Sequence, residues 1–195
     1  MPLILASTSR YRAGLLSRLG IPFTTEGPGV DETPRPGEGP AEQAVRLARA
    51  KAEAVAHRHP AAWVIGSDQV AVRGNEVLGK PLDAARCEAQ LTASSGREVT
   101  FLTAVCLARA GDGRRLEHLD TTRVQFRSLA PAEVRRYVQL EQPFDCAGGF
   151  KCEGLGIALF ERIESSDPTG LIGLPLIWVA GALREAGLDP LAIER

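Results

Sequence analysis

Aromatic side chains are scarce in this chain of 195 residues, making up 5% of it, and no long hydrophobic run is present. So few aromatics leave little for the stacking platforms that bind single-stranded nucleic acid. A formal net charge of -1 argues against binding nucleic acid through bulk positive charge. A membrane-spanning helix would need about 20 consecutive apolar residues. We therefore expect a protein without nucleic-acid or membrane partners.

Cysteine is also rare, and its spacing argues against a zinc site. The four cysteines form no C-x-x-C pair, and His57 and His59 lie far from them along the chain. Clustering in space stays open, because residues distant in sequence can meet in a fold. The chain opens with neither a charged leader nor a cleavage site, so we expect free thiols and a cytoplasmic location.

The overall composition is that of an ordinary globular protein, with 44% hydrophobic and 24% charged residues. Its length predicts one domain over residues 1–195, with two lobes around a central cleft as an option. Strand-like and helix-like patterns mix along the chain without a strict βαβ repeat. We therefore expect an α/β fold, with helices flanking a mixed, twisted, partly antiparallel sheet.

The hydrophobic periodicity places the individual elements. Strands are predicted at residues 3–6, 21–23, 63–72, 77–78, 99–108, 118–127 and 157–163. Helices are predicted at residues 13–19, 40–59, 83–93, 131–140 and 174–186.

A polar loop follows the first predicted strand and leads into the first helix. It contains Ser7, Ser9 and Arg12. The start of a helix offers backbone N–H groups and a positive dipole, and an arginine fork suits phosphate oxygens. These residues are therefore candidates for phosphate binding. The alternative is an ordinary helix cap beside a solvated arginine.

Three further charged residues are candidates for the same chemistry. Asp68 interrupts the strongest apolar strand, where a carboxylate is costly unless it is paired or bound to metal. Glu32 lies in a loop rich in glycine and proline, where it can bind a cation or be solvated. Lys51 lies within a predicted helix, a position at which lysine usually reaches the surface.

Two more loops have the composition of binding sites. Lys80 stands between a glycine and a proline, which allow close backbone approach and stiffen the loop. Residues 144–156 contain four glycines, and Lys151 and Glu153 project from this segment. Loops of this kind carry functional groups more often than they carry cores.

An ordered set of short motifs resembles the Maf family, the nucleoside triphosphate pyrophosphatases named for septum formation. Each motif is weak alone, and together they extend from Leu3 to about Pro175. The motifs are Leu5-Ala6-Ser7-Thr8-Ser9-x-x-Arg12, Val30-Asp31-Glu32-Thr33, Ala50-Lys51-Ala52, Gly66-Ser67-Asp68-Gln69, Gly79-Lys80-Pro81 and Phe150-Lys151-Cys152-Glu153-Gly154.

The resemblance implies a fold, a reaction and a set of roles. The fold is elongated, like that of the inosine triphosphate pyrophosphatases (Maf/Ham1-like). The reaction is hydrolysis of a nucleoside triphosphate to a monophosphate and pyrophosphate. Asp68 is implied as proton acceptor, and Glu32 with Asp68 as ligands of a divalent cation, most simply Mg²⁺. The implied phosphate-binding residues are Ser7, Ser9, Arg12, Lys51 and Lys80.

Within the family, the chain resembles the branch that acts on 7-methyl-GTP. Gln69 follows Asp68, where the dTTP and UTP branch has threonine, and the late loop reads Lys151-Cys152-Glu153. Tyr11 can stack on the positively charged methylated base, and Glu153 can accept hydrogen bonds from its donor edge. Tyr11, Gln69 and Glu153 are therefore predicted to select the base. One departure is Arg10, because many members have proline there.

Three alternatives to this function stay open at the level of sequence. One is a nucleotide-binding regulator of cell division that does not hydrolyse its ligand. The second is a phosphatase that releases inorganic phosphate, and the third is a dTTP/UTP pyrophosphatase of the same family. A homodimer is a further option.

Overall fold

The computed structural model describes residues 1–192, within which seven strands form one sheet. Hydrogen bonds join the strands in the order β2-β1-β3-β5-β6-β7, and β4 pairs with β3. The strands are β1 Leu3–Leu5, β2 Thr24–Thr25, β3 Trp63–Arg73, β4 Glu76–Leu78, β5 Glu98–Arg109, β6 Arg114–Phe126 and β7 Phe160–Glu164. The helices are α1 Arg10–Ser17, α2 Pro40–Arg58, α3 Ala84–Ser94, α4 Pro131–Glu141 and α5 Leu176–Glu185.

The sheet is mixed, as the sequence predicts. Strand β1 runs parallel to both β2 and β3, whereas β4 pairs antiparallel with β3 and β7 pairs antiparallel with β6. The described residues divide into two compact units. The first contains Met1–Asp68, Thr103–Asp120 and the described residues from Asp167 onward, and the second contains Gln69–Leu102 and Thr121–Ser166. The single-domain interpretation and its two-lobe option stay predictions.

The first unit buries both faces of its central strands. Because successive side chains of a strand point to opposite faces, Leu3 and Leu5 join a different cluster from Ile4 and Ala6. Leu3 and Leu5 pack with Trp63, Ile65 and residues of α1 and α5. Ile4 and Ala6 pack with Val64 and with Val55 and Ala56 of α2. Burial on both faces explains the continuous apolar runs of β1 and β3.

The second unit has an aromatic core of its own. The rings of Phe101, Phe126, Phe150 and Phe160 contact one another edge to face, with centroid distances between 4.8 and 5.7 Å. Such edge-to-face pairs contribute beyond the area they bury. Four of the ten aromatic residues thus lie close to one another in this unit. No helix in the described part of the chain is long and apolar enough to cross a membrane.

The structure corrects several predicted boundaries. The second strand is Thr24–Thr25 rather than residues 21–23, and the last strand begins at Phe160 because Leu155–Leu159 forms a 3-10 helix. Helix α1 begins at Arg10, three residues before its predicted start, because Ser9 accepts a hydrogen bond from the Arg12 backbone and caps it. Strand β6 begins four residues before its predicted start, at Arg114.

Candidate active site

The parallel pairing of β1 with β3 brings two of the predicted motifs together. Leu5 is paired with Ile65, and the Ala6 N–H donates to the Ile65 carbonyl at 2.8 Å. The loop after β1 therefore begins beside the part of β3 that continues into Asp68. In this loop the Ser9 N–H donates to Oγ of the buried Ser7 at 3.1 Å. The two predicted phosphate-binding serines thus form one compact turn at the start of α1.

The side chain of Arg12 is held by backbone rather than by a carboxylate. Its Nε donates to the carbonyl oxygen of Gly173 at 3.0 Å. Burial lowers the pKa of Arg12, while the nearby charges of Asp68 and Glu32 act in the opposite direction. A guanidinium stays charged at neutral pH even so. The site therefore contains a permanent positive charge whose orientation is set by a loop far away in sequence.

The close packing of α2 on β3 depends on Gly66. A Cβ at this position would lie 2.3 Å from the Ala48 carbonyl oxygen and 2.4 Å from the Ala52 nitrogen, both backbone atoms. Only a residue without a side chain allows this approach. Two residues further along the same face of the strand, Asp68 therefore meets the helix that carries Lys51.

Lys51, Asp68 and Glu32 form one ionic cluster. The ammonium nitrogen of Lys51 lies 2.7 Å from Oδ1 of Asp68 and 2.8 Å from Oε1 of Glu32. The exposed fractions of the Lys51 and Asp68 side chains are 7% and 10%, against 58% for Glu32. Lys51 is therefore buried, and the expectation that a lysine within a helix reaches the surface is wrong here. Lys51 is four residues from both Leu47 and Val55, so it lies on the buried stripe of α2.

Burial controls the protonation of Asp68. Removal from water raises the pKa of its carboxyl, and this effect outweighs the opposite influence of Lys51 and Arg12. The negative charge of Glu32 adds to the upward shift. A carboxyl with a raised pKa is a stronger base when it is ionised. Asp68 thus combines the burial, the charged partners and the basicity expected of a group that activates water.

The same two carboxylates suit a divalent cation. Among the residues that the structure describes, no three His, Cys, Asp or Glu side chains cluster into a ready-made metal site. Mg²⁺ in nucleotide enzymes is usually held by one or two carboxylates, waters and substrate phosphates. Glu32 and Asp68 already share one positive charge, that of Lys51. Their donor set therefore fits a Mg²⁺ ion that arrives with a triphosphate.

The loop that carries Glu32 is tied to α2 by a second set of contacts. The Asp31 carboxylate accepts from the Thr33 N–H at 2.9 Å and from its hydroxyl at 2.6 Å. Arg46 of α2 donates to the carboxylate of Glu38 through Nε and Nη2, at 2.5 and 2.7 Å, and to the Thr33 carbonyl at 3.3 Å. This loop is therefore held by hydrogen bonds on both sides of Glu32, although residues 31–37 are exposed.

The ring of Tyr11 already contacts a cation. The Arg10 guanidinium lies over it, 4.9 Å from the ring centroid, and Arg10 Nη2 donates to the Tyr11 hydroxyl at 2.9 Å. Arg10 is the position at which this chain departs from the family motif. The substitution thus places a positive side chain against the residue predicted to stack on the base.

The other predicted site residues, Gln69, Lys80 and Glu153, belong to the second unit. Gln69 directly follows Asp68 in β3 and is half-buried, whereas Lys80 and Glu153 are exposed. The Gly79 carbonyl accepts from Gln90 of α3 at 3.1 Å, which ties the loop of Lys80 to that helix. The Glu153 carboxylate lies 3.5 Å from the Cys152 thiol. Their predicted roles stay predictions.

Two residues that contact the predicted site, Ser67 and Gly173, were not predicted from the sequence. Ser67 Oγ lies 2.8 Å from the Ala104 carbonyl oxygen and 2.9 Å from that of Gly173, the same oxygen that holds Arg12. A hydroxyl inside an apolar strand was the available signal for Ser67. The contact with Gly173 joins residues 106 positions apart, so no local pattern could predict it.

Comparison with known proteins places this arrangement in a family. Residues 2–186 match the family of Maf-like proteins. The chain belongs to the Maf family. A Maf relative from Xanthomonas oryzae pv. oryzae, named 7-methyl-GTP pyrophosphatase, is 60% identical over 95% of this chain and 96% of its own length. A relative of the same name from Alkalilimnicola ehrlichii is 55% identical over 99% of this chain and 97% of its own.

The fold is shared more widely than the sequence. The structure of a HAM1 protein from Coxiella burnetii matches 95% of this chain and 99% of its own, with a TM-score of 0.50 and 15% identity. This likeness confirms the Maf/Ham1-like fold predicted from the sequence and bears on the fold alone. The family prediction is confirmed by the match to Maf-like proteins.

Proposed function

We propose that this Maf chain hydrolyses 7-methyl-GTP to 7-methyl-GMP and pyrophosphate, removing a modified nucleotide from the pool. Two relatives with more than half of their residues identical bear the name of this activity. The match extends over nearly the whole of each chain, so it includes the residues of the ionic cluster. The proposal makes the chain a hydrolase of acid anhydrides.

The observation that carries the proposal is the state of Asp68. It is a buried carboxylate with a raised pKa, and it faces Lys51 within the first unit. A protein that only binds triphosphate gains little from a buried negative charge. A hydrolase needs a group that accepts the proton of the attacking water, at a typical benefit of about 10²–10⁴-fold in rate. We assign that role to Asp68.

The positive residues of the first unit suit the triphosphate. Negative charge builds on the phosphate oxygens and the leaving pyrophosphate as the bond between the α and β phosphates breaks. Arg12, Ser7 and Ser9 would bind the phosphates in the ground state and in the transition state alike, and Lys51 would stabilise the charge that builds. Lys80 of the second unit is proposed for the same role.

The proposed metal ligands are Glu32 and Asp68. Bound there, Mg²⁺ would neutralise phosphate oxygens and polarise the reacting phosphorus. The chemical fit is that of the donor set, since two carboxylates that share one ammonium can also share a divalent cation. Asp68 is thus assigned two roles, as a ligand that would hold the metal and as the group that would accept the proton of the attacking water.

Selection of the base is assigned to Tyr11, Gln69 and Glu153. A carboxylate such as that of Glu153 accepts from N1–H and the amino group of guanine, and it meets uracil or adenine poorly. Stacking of a cationic base on Tyr11 is typically worth about 0.5–2 kcal/mol. The Arg10 side chain over this ring would have to share or leave it when the base binds. A cytoplasmic location and a homodimer stay predictions.

The deciding experiment is a substrate screen with identification of the products. Purified chain is incubated with 7-methyl-GTP, GTP, dTTP and UTP, with Mg²⁺ or with excess chelator. We expect the highest kcat/KM for 7-methyl-GTP, release of monophosphate and pyrophosphate, and loss of activity in chelator. Glu32→Gln should require more Mg²⁺ for half-maximal rate, because it removes one proposed ligand.

Other results would identify the alternatives. Preference for dTTP or UTP would assign the chain to the other branch of the family. Orthophosphate as first product would indicate a phosphatase. Tight binding of nucleotide without turnover would support a regulator. Full activity in chelator would remove the metal from the mechanism.

A further inference from the structure

We propose that Ser67 is a positioning residue for Arg12, acting through the carbonyl oxygen of Gly173. The inference rests on the proposed function, in which Arg12 binds phosphate, and adds a residue that holds it in place. The basis of the inference is that two side chains contact the same backbone oxygen. Arg12 Nε lies 3.0 Å from it, and Ser67 Oγ lies 2.9 Å from it.

The Gly173 carbonyl is well placed to act as a fixed support. A carbonyl oxygen has two lone pairs, so this one can accept from Arg12 Nε–H and from the Ser67 hydroxyl, whose single proton is shared with the Ala104 carbonyl oxygen. Gly173 itself has a φ of +117°, a left-handed conformation that favours glycine. A Cβ there would lie 3.4 Å from Arg12 Nε. The geometry of this carbonyl is therefore set by the backbone of its own loop.

The loop is anchored at further points that do not involve Ser67. The buried Asp167 carboxylate accepts from the Thr169 N–H and hydroxyl and from the Ile177 N–H, and so holds the start of α5. The Thr103 hydroxyl donates to the Gly170 carbonyl at 3.0 Å. Loss of the Ser67 hydroxyl should therefore leave the loop folded while releasing one constraint on the Gly173 oxygen.

The consequence for Arg12 follows from the shape of its guanidinium. The group is planar and has five N–H donors in a fixed fork. When Nε–H is committed to Gly173, the plane is set, and the four N–H groups on the two Nη atoms remain for a bidentate phosphate contact. Ser67 would thus contribute to binding without touching the substrate.

Position along β3 separates Ser67 from its catalytic neighbour. Alternate residues of a strand point to opposite faces, so Ser67 points away from the α2 side on which Asp68 meets Lys51. An effect of Ser67 on proton transfer would appear in kcat. An effect through a phosphate-binding arginine, which contacts ground state and transition state alike, would appear in KM.

The test is a double-mutant cycle with a matched control. Wild type, Ser67→Ala, Arg12→Lys and the double variant are compared by kcat and KM for 7-methyl-GTP. Binding of a non-hydrolysable 7-methyl-GTP analogue is measured by calorimetry, so that slow variants can be included. The control is Thr103→Val, which removes another buried hydroxyl bond to the same loop without touching the Gly173 oxygen.

We expect Ser67→Ala to raise KM and the Kd of the analogue about three- to tenfold, the loss typical of one hydrogen bond, with kcat within about twofold of wild type. In the Arg12→Lys background the same change should alter binding by less than about twofold. Thr103→Val should lower thermal stability but leave KM unchanged. Ser67→Cys retains a weak donor and serves if the alanine variant does not fold.

Several results would overturn the inference. A fall in kcat with unchanged KM would place the effect on Asp68. Equal losses in the wild-type and Arg12→Lys backgrounds, or an equal rise in KM for Thr103→Val, would show that Ser67 does not act through Arg12. Unchanged binding in Arg12→Lys and Arg12→Ala would instead refute the phosphate role of Arg12 in the proposed function.

Discussion

Two carboxylates of the first unit, Asp68 and Glu38, each contact a cation of α2 at under 3 Å, yet their pKa values move in opposite directions. Lys51 contacts Asp68 at 2.7 Å, but burial raises the Asp68 pKa. Nε and Nη2 of Arg46 donate to the Glu38 carboxylate and lower its pKa to about 2. For Asp68 the largest effect is desolvation, and for Glu38 it is the hydrogen bond.

The two pairs show that a short contact with a cation is not enough for an ionised carboxylate to stabilise the fold. Asp68 shares a single ammonium with Glu32, and removing a charge from water costs more than a shared partner returns. The Glu38 side chain is only 9% exposed, but it accepts two hydrogen bonds from a guanidinium that no other carboxylate is seen to contact among the described residues. The first arrangement favours reactivity and the second favours stability, so substitutions at the two sites should have different signatures.

The largest effect should come from Asp68→Asn. We expect kcat/KM to fall by about 10²–10⁴-fold, because asparagine cannot accept a proton at neutral pH. The thermal midpoint should stay close to that of wild type, since the substitution removes a charge that burial disfavours but also one of the two carboxylates that pair with Lys51. Initial rates and thermal unfolding at neutral pH measure both. Asp112→Asn, at the exposed pair with Arg109, is the control and should retain activity.

The pH dependence of wild-type activity checks the direction in which the Asp68 pKa is shifted. Activity requires ionised Asp68, so kcat/KM should decline as the pH falls through its raised pKa. This acid limb should therefore lie above the ordinary aspartate value of 3.8. A well-folded Asp68→Asn variant with near-normal activity would remove Asp68 from the mechanism.

The second effect should come from Gly66→Ala, which disturbs the buried pair without changing either charge. The added methyl would meet backbone atoms of Ala48 and Ala52, so α2 must move away from β3. We expect a loss of about 1–3 kcal/mol in the free energy of unfolding, as for other overpacked sites, together with lower activity. Denaturant unfolding and initial rates measure these changes.

Gly14→Ala is the matched control for this packing effect. Gly14 lies in α1 with open space around its Cβ position. Alanine there should raise the free energy of unfolding by roughly 0.5–1 kcal/mol, the usual difference between the two residues in a helix. Equal behaviour of the two variants would contradict the view that close packing at Gly66 places Lys51 beside Asp68.

The smallest effect should come from Glu38→Gln and should depend on pH. The folded pKa of Glu38, about 2, lies below its ordinary value of 4.5. Its contribution is therefore fully present above pH 4.5 and is lost as the pH falls through about 2. The variant should be less stable than wild type at neutral pH, and the difference should shrink on acidification. Thermal unfolding of both proteins across this pH range measures the difference in stability. A difference that does not change with pH would contradict a stabilising role for ionised Glu38.

The sequence predicted β3, α2 and α4 well and the strands β2 and β7 poorly. Strand β3, helix α2 and helix α4 have strong periodicity or a proline at the helix start, so their bounds were close to those observed. Strands β2 and β7 lie at the ends of the strand order. Their limits depend on which residues find hydrogen-bonding partners, and a hydrophobic pattern does not encode this.

The residues of the candidate site also differ in how far the sequence could predict them. Asp68 could be singled out because a carboxylate in an apolar strand contradicts its surroundings. Lys51 followed from the family motif, whereas its burial depends on the approach of α2 that Gly66 allows. The link from Ser67 to Gly173 and Arg12 is tertiary and has no local signature.

The alternation of side chains along β3 restricts how the length of this chain can change. Gly66 and Asp68 point toward α2, while Ile65 and Ser67 point to the other face. Deleting or inserting one residue just before Gly66 would exchange these faces and carry the carboxylate away from Lys51. A change of two residues would keep the faces but shift the pairing with β1. Descendants of this sequence should therefore vary in length in loops such as residues 27–39, and keep the spacing from Trp63 to Asp68 fixed.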